Sequence, residues 1–153
     1  MTETQGEILN RRGNDLVRQG RLEEAVVLYS RAIALEPNYA EPFYNRGKAR
    51  LNLGDSRGAI ADLDRAILLD PADADAFNNR AIAKKKVGLI QEAISDYTTA
   101  IRLDPTSYRA YLNRGIAYFE LGNTVAACSD FKVAQRHNVE QASAAIRQAG
   151  CSE

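Results

Sequence analysis

The chain has 153 residues, in which 20 Lys+Arg balance 20 Asp+Glu around a single His, so its formal net charge is zero. That balance argues against nucleic acid as a partner. With 45% hydrophobic and 26% charged residues the chain reads as folded rather than disordered, and no apolar run approaches the roughly 18 residues of a membrane-spanning helix. The start, Met1 to Glu7, is polar and acidic, unlike a secretory signal. Cys128 and Cys151 are too few for a disulfide scaffold, so a reducing, cytoplasmic setting is expected.

The elements follow from an internal repeat. Ala25-Val26…Ala32-Ile33-Ala34-Leu35-Glu36-Pro37 returns as Ala59-Ile60…Ala66-Ile67-Leu68-Leu69-Asp70-Pro71 and again as Ala93-Ile94…Ala100-Ile101-Arg102-Leu103-Asp104-Pro105, each time 34 residues on. After an N-terminal tail, residues 1–5, four units of 34 slots run 6–39, 40–73, 74–107 and 108–141. Slot 15 is glycine in every unit (Gly20, Gly54, Gly88, Gly122), which ends a first helix over about slots 2–14. Slot 32 is Pro37, Pro71 and Pro105, then Val139, and a proline cannot continue a second helix over about slots 18–30. Slot 8 (Gly13, Gly47, Ala81, Gly115), slot 20 (Ala25, Ala59, Ala93, Ala127) and slot 27 (Ala32, Ala66, Ala100, Ala134) are small, which lets helices approach closely. Slots 4 and 24 carry Leu9, Phe43, Phe77, Tyr111 and Tyr29, Leu63, Tyr97, Phe131, which fill the space between them. One such pair cannot bury its apolar face alone, so the pairs must stack.

After the fourth unit a last helix is predicted within 138–150, with Asn138 as its cap, Ala142, Ala145, Ile146 and Ala149 on one face, and Gly150 at its end. Residues 151–153 are a tail. This helix either covers the open apolar end of the stack or binds a partner.

These slots resemble the tetratricopeptide repeat (TPR) family across residues 6–141. The wording Asn45-Arg46-Gly47 and the Leu-Asp-Pro turns look most like short TPR proteins of bacteria, photosynthetic ones included, where such chains often assist complex assembly. The resemblance implies an all-α fold, a right-handed α-solenoid of four TPR helix pairs plus a C-terminal capping helix. Departures are Ala81 at slot 8, Arg50 and Lys84 at the usually apolar slot 11, and arginine at slot 7 in all four units.

Repetition allows each polar slot to be compared four times. Slot 7 (Arg12, Arg46, Arg80, Arg114) matches slot 23 (Leu28, Asp62, Asp96, Asp130), which suggests ion pairs between helices, with Arg12 left unpaired; arginines offered to an acidic ligand are the other reading. The family resemblance implies that first helices line a concave groove through slots 2, 5, 6, 9, 12 and 13. Slot 6 then sets Arg11, Asn45, Asn79 and Asn113 along the groove. The asparagines form a ladder able to bond a peptide backbone, or they bond only neighbouring helices and water. Asn14, Arg18, Tyr44, Lys48, Lys85 and Lys86 make the groove polar and cationic toward the N-terminus, whereas Ile82, Leu112, Ile116 and Phe119 make it apolar toward the C-terminus. The apolar patch equally suits contact with the last helix or a second copy of the chain.

The carboxylate clamp of TPR co-chaperones needs a lysine, two asparagines, a lysine and an arginine at slots 5 and 9 of one unit, 6 of the next, and 2 and 6 of the third. This chain has Asn10, Asn14, Asn45, Asp75 and Asn79 there; starting one unit later it has Tyr44, Lys48, Asn79, Arg109 and Asn113. In the first register the two asparagines match and all three cations are missing, and the second register is no better, so capture of a chaperone tail is not expected. Catalysis finds no residues to carry it. His137 stands alone at a helix end, Cys128 falls at slot 21 where other units place Val26, Ile60 and Ile94, and Cys151 lies in the tail, open to oxidation. The expectation is therefore a non-enzymatic protein–protein interaction module, an adaptor, scaffold or assembly factor. It has no cofactor, no metal, no nucleic acid and no membrane insertion. Its partner is another protein's extended or helical segment carrying acidic and apolar residues. The alternative is structural self-association through the solenoid ends or the apolar C-terminal groove, as a homo-oligomer.

Overall fold

The computed structural model describes residues 1–152, and every regular element among them is a helix. They run α1 (Gln5–Arg18), α2 (Leu22–Leu35), α3 (Ala40–Asn52), α4 (Ser56–Leu69), α5 (Ala74–Lys86), α6 (Ile90–Leu103), α7 (Tyr108–Glu120), α8 (Thr124–Arg136) and α9 (Ala142–Ala149). The first eight lie within two residues of the expected spans. α1 starts earliest relative to expectation because Thr4 and Glu7 form a capping box: the Glu7 N–H donates to Thr4 Oγ1 at 3.1 Å and the Thr4 N–H to Glu7 Oε2 at 2.7 Å. At slot 15 the glycines take φ of 76°, 88°, 86° and 80°, left-handed values that stop each first helix.

Small residues set the packing distance. A Cβ on Gly13 would stand 2.5 Å from Tyr29 Cε1, and one on Gly115 would stand 2.6 Å from Phe131 Cε1. The alanines of slots 20 and 27 are buried in all four units. Helices pack within a unit and then onto the next unit. In addition α1 touches α3, α3 touches α5, α5 touches α7 and α7 touches α9, whereas no two second helices of different units touch. Closely spaced first helices and splayed second helices curve the stack, with the first helices on the inside.

The slot-7 arginines form the seam of each unit. Arg46 donates to both carboxylate oxygens of Asp62 at 2.9 and 2.7 Å, Arg80 to Asp96 at 2.8 and 2.7 Å, and Arg114 to Asp130 at 2.8 Å twice. The aspartates are 3–5% exposed. Each arginine also reaches back to slot 25 of the preceding unit: Ser30 at 3.0 Å, Asp64 at 2.9 Å and Thr98 at 3.2 Å. Each lies over the slot-4 ring of its own helix, Phe43, Phe77 or Tyr111, 5.4 to 6.0 Å from the centroid. The departures at slot 11 acquire a reason here. Arg50 Nη1 is 2.9 Å from Asp62 and Lys84 Nζ is 3.1 Å from Asp96, so each is a second cation on a buried aspartate. In unit 4 the slot holds Tyr118, whose ring lies 5.8 Å from Arg114 Cζ. Arg12, with Leu28 in the aspartate's place and Leu9 in the ring's, is exposed and has no carboxylate partner among the described residues.

Three expectations at the C-terminal end change. Asn138 does not cap the last helix. It takes φ 59° and closes α8, with its N–H on the Gln135 carbonyl and that of Val139 on Ala134, both at 3.0 Å. The last helix therefore starts at Ala142, capped by Gln141 without a side-chain bond. It packs on α8 and α7, with Ala142 buried and Ala145, Ile146 and Ala149 against Leu112, Phe131 and Ala134. Cys128 and Cys151 are neither a core thiol and a free tail thiol nor apart: they form a disulfide with Cα atoms 5.6 Å apart. No following unit covers slot 21 here, and Gly150, at φ 67°, turns the chain back onto α8. The bond bears on the expected reducing setting, because disulfides persist mainly in oxidising compartments. No described helix is long and apolar enough to cross a membrane.

Candidate partner-binding groove

At its N-terminal end the inner face holds a polar pocket of about 210 Å³ between α1 and α3. Four expected site residues, Asn14, Arg18, Asn45 and Lys48, line it together with Asn52 and Tyr29. The Tyr29 hydroxyl donates to Asn14 Oδ1 at 2.7 Å. Burial pushes that phenol up to about 12, so it stays a neutral donor and leaves the Asn14 amide protons unspent. Arg18 pairs with exposed Asp15 one turn back. Lys48 is exposed, its Nζ 6.0 Å from the Tyr44 ring centroid, with no carboxylate partner among the described residues. Arg11 is directed elsewhere. It grips Glu3 at 3.0 Å through two bonds, which hold that carboxyl below the usual range; with both partners exposed the pair adds little stability.

Along the middle of the face the three asparagines differ. Asn45 Nδ2 donates to Asn10 Oδ1 at 2.9 Å, and Asn79 Nδ2 donates to the Tyr44 hydroxyl at 3.3 Å and the Asp75 carbonyl at 2.9 Å. Asn113 makes no hydrogen bond among the described residues, and beside it in register the Asn78 Oδ1 is buried without a partner. All three asparagines are half-buried. Burial also pushes the Tyr44 phenol up to about 12. Ile82 is half-buried against Ala81, Ala93 and Tyr97. Lys85 is tied to Glu120 at 2.7 Å, and Lys86 is exposed.

At the C-terminal end an apolar socket of about 420 Å³ opens between α7 and α9. Leu112, Ile116, Phe119 and Phe131 form one wall, and Gln141, Ala144, Ala145 and Gln148 form the other. Leu112 is 3% exposed and packs under α9, whereas Phe119 is 36% exposed at the mouth. The last helix thus covers part of the apolar patch and walls the remainder. The residues Ala144 and Gln148 were not foreseen; they sit on the face of α9 opposite the one read for packing. Also unforeseen is an acidic hollow of about 300 Å³ beside Tyr39 and Tyr44, lined by Glu41, Asp70 and Asp73. Burial raises the Asp73 carboxyl. The recurrence of acids at the starts of the first helices was the signal for it. Among the described residues no three His, Cys, Asp or Glu side chains are grouped to hold a metal ion.

Three family models match the chain. One described as TPR repeat covers residues 13–54 and 88–122, and two described as tetratricopeptide repeat cover 44–84 and 109–137. Among solved structures, that of the MamA protein is 28% identical with a TM-score of 0.82, covering 91% of this chain and 76% of its own. The second TPR domain of human RPAP3, solved in complex with the HSP70 peptide SGPTIEEVD, is 31% identical with a TM-score of 0.69, covering 71% of this chain and 91% of its own. The Arabidopsis OM64 TPR domain is 27% identical with a TM-score of 0.72, covering 73% of this chain and 93% of its own. No curated protein matches the sequence.

Proposed function

Because the chain belongs to the tetratricopeptide repeat family, we propose that it is a non-enzymatic interaction module, an adaptor or assembly factor that holds a segment of another protein along its inner face. The observation that carries this reading is the pair of pockets at opposite ends of one face. The polar one offers Asn14, Arg18, Asn45 and Lys48, and the apolar one offers Leu112, Ile116 and Phe119. A partner segment with acidic residues at one end and a bulky apolar side chain at the other matches both. Between them Asn113 contributes unspent amide groups, Asn79 and Tyr44 a bonded rung, and Lys86 an exposed cation. Ile82 and Lys85 are half-buried supports of that wall.

Capture of a chaperone tail, as in the RPAP3 complex, is not part of the proposal. Asn10, Asp75 and Asn79 stand where that clamp needs cations, and Asn10 is buried against Asn45 and Tyr39. A cytoplasmic setting fits this reading if the Cys128–Cys151 bond forms and breaks in use.

The test compares the intact chain with two variants, Lys48→Glu and Phe119→Ala, in pull-downs and then in affinity measurements on the captured protein. Both residues are at least partly exposed, so thermal unfolding should stay close to that of the intact chain. Affinity should fall at least about tenfold in each, the loss expected from removing one well-placed contact of about 1.4 kcal/mol. Equal binding by all three chains overturns the groove reading. Light scattering across concentration separates it from self-association: growth of mass with concentration would favour the oligomer.

A further inference from the structure

α9 has only eight residues and no side-chain cap, so it is too short to hold its shape without help. Its support comes from three sources. Ala142 and Ile146 pack on Leu112 and Phe131. Gln135 Nε2 donates to Ser143 Oγ at 3.2 Å. The Cys128–Cys151 disulfide fastens the chain just past the helix to α8. α9 is also one wall of the apolar socket, through Gln141, Ala144, Ala145 and Gln148. One short helix therefore carries both the covalent tether at its end and a wall of the socket.

The bond is within reach of solvent. Both cysteines are only half-buried, and they line an open surface depression with Ser129, Lys132 and Ser152. Lys132 is one turn after Cys128, and an ammonium there favours a thiolate leaving group.

We propose that the Cys128–Cys151 disulfide is a redox latch on the apolar socket. With the bond closed, α9 is pinned as the second wall. A dithiol reductant opens it: one reductant thiolate attacks a cysteine sulfur, the Cys128–Cys151 bond breaks as a mixed disulfide forms, and the second reductant thiol displaces it. Two electrons and two protons pass to the protein, which ends with two thiols, and the reductant ends as its own disulfide. Freed of its tether, α9 samples undocked states, and the wall of Gln141, Ala144, Ala145 and Gln148 is lost for that fraction of time. The coupling is reciprocal, so an apolar group seated in the socket slows reduction. The consequence for binding rests on the groove reading above; the latch itself does not.

The test needs no partner. Hydrogen exchange is followed in the full chain, oxidised and after dithiothreitol, and in the Cys151→Ser variant. Closing a loop of this size restricts the open state enough that α9 amides, residues 142–149, should exchange roughly tenfold to a few hundredfold faster on reduction. Amides of α2 and α4 should not change. Re-oxidation should restore protection, and the Cys151→Ser chain should exchange fast with or without dithiothreitol. The Ile116 methyl resonance, on the opposite wall, should shift on reduction while that of Ile33 stays. Two free thiols in the oxidant-treated chain, or α9 exchange indifferent to reduction, would overturn the latch. Fast α9 exchange with an unmoved Ile116 signal would overturn its link to the socket. Failure of the pull-down variants with success here would instead sink the groove reading alone.

Discussion

The seam between first and second helices and the inner face each carry a polar residue in every unit, yet the two regions use it differently. In the seam, arginine and aspartate recur at one fixed separation, and the bonds recur with them: Arg46–Asp62, Arg80–Asp96 and Arg114–Asp130 share one geometry. On the inner face the asparagines recur but their neighbours do not. Slot 5 of the preceding unit offers Asn10, then Tyr44, then Asn78, and the three asparagines make three different arrangements. A polar residue whose partner repeats is a cross-link of the fold, while one whose partner varies keeps capacity for something outside the chain.

Substitutions can break that contrast, read as shifts in the urea midpoint at constant slope. Asp96→Ala should cost the most, about 3–5 kcal/mol, because it takes the one buried carboxylate from both Arg80 and Lys84 and leaves them only the exposed Asp64 and Glu92. Asp130→Ala should cost less, about 2–3 kcal/mol, because Arg114 alone is stranded and keeps Thr98 and the Tyr111 and Tyr118 rings. Asn45→Ala should cost about 1 kcal/mol for its one bond to Asn10. Arg12→Ala, the same residue type at the same slot as the seam arginines, should change stability by no more than about 0.5 kcal/mol. An Arg12 effect equal to that of Asp96 would erase the distinction between the two regions.

Much of this was legible in the chain itself. The 34-residue period located the helices, and matching arginine with aspartate foretold the seam and singled out Arg12. Reading Arg50 and Lys84 as departures without seeing their use was a gap, since only the fold brings slot 11 over the buried aspartate. The inner-face bonds were hidden because they depend on which side chain the previous unit supplies. The disulfide was hidden because slot 21 is apolar in units 1 to 3, where another unit covers it. In unit 4 a left-handed Asn138 and a left-handed Gly150 reverse the chain twice and bring residue 151 back. Neither reversal repeats, so comparison among units could not find it.

All helix contacts join elements one or two apart in the chain order, and none spans the array from one end to the other. Such a stack behaves as a spring. Small changes at each junction of successive helix pairs add up along the coil, so the groove can widen or narrow with little loss of contact at any one place. It can also begin to fold at any junction, since no distant segments have to meet first.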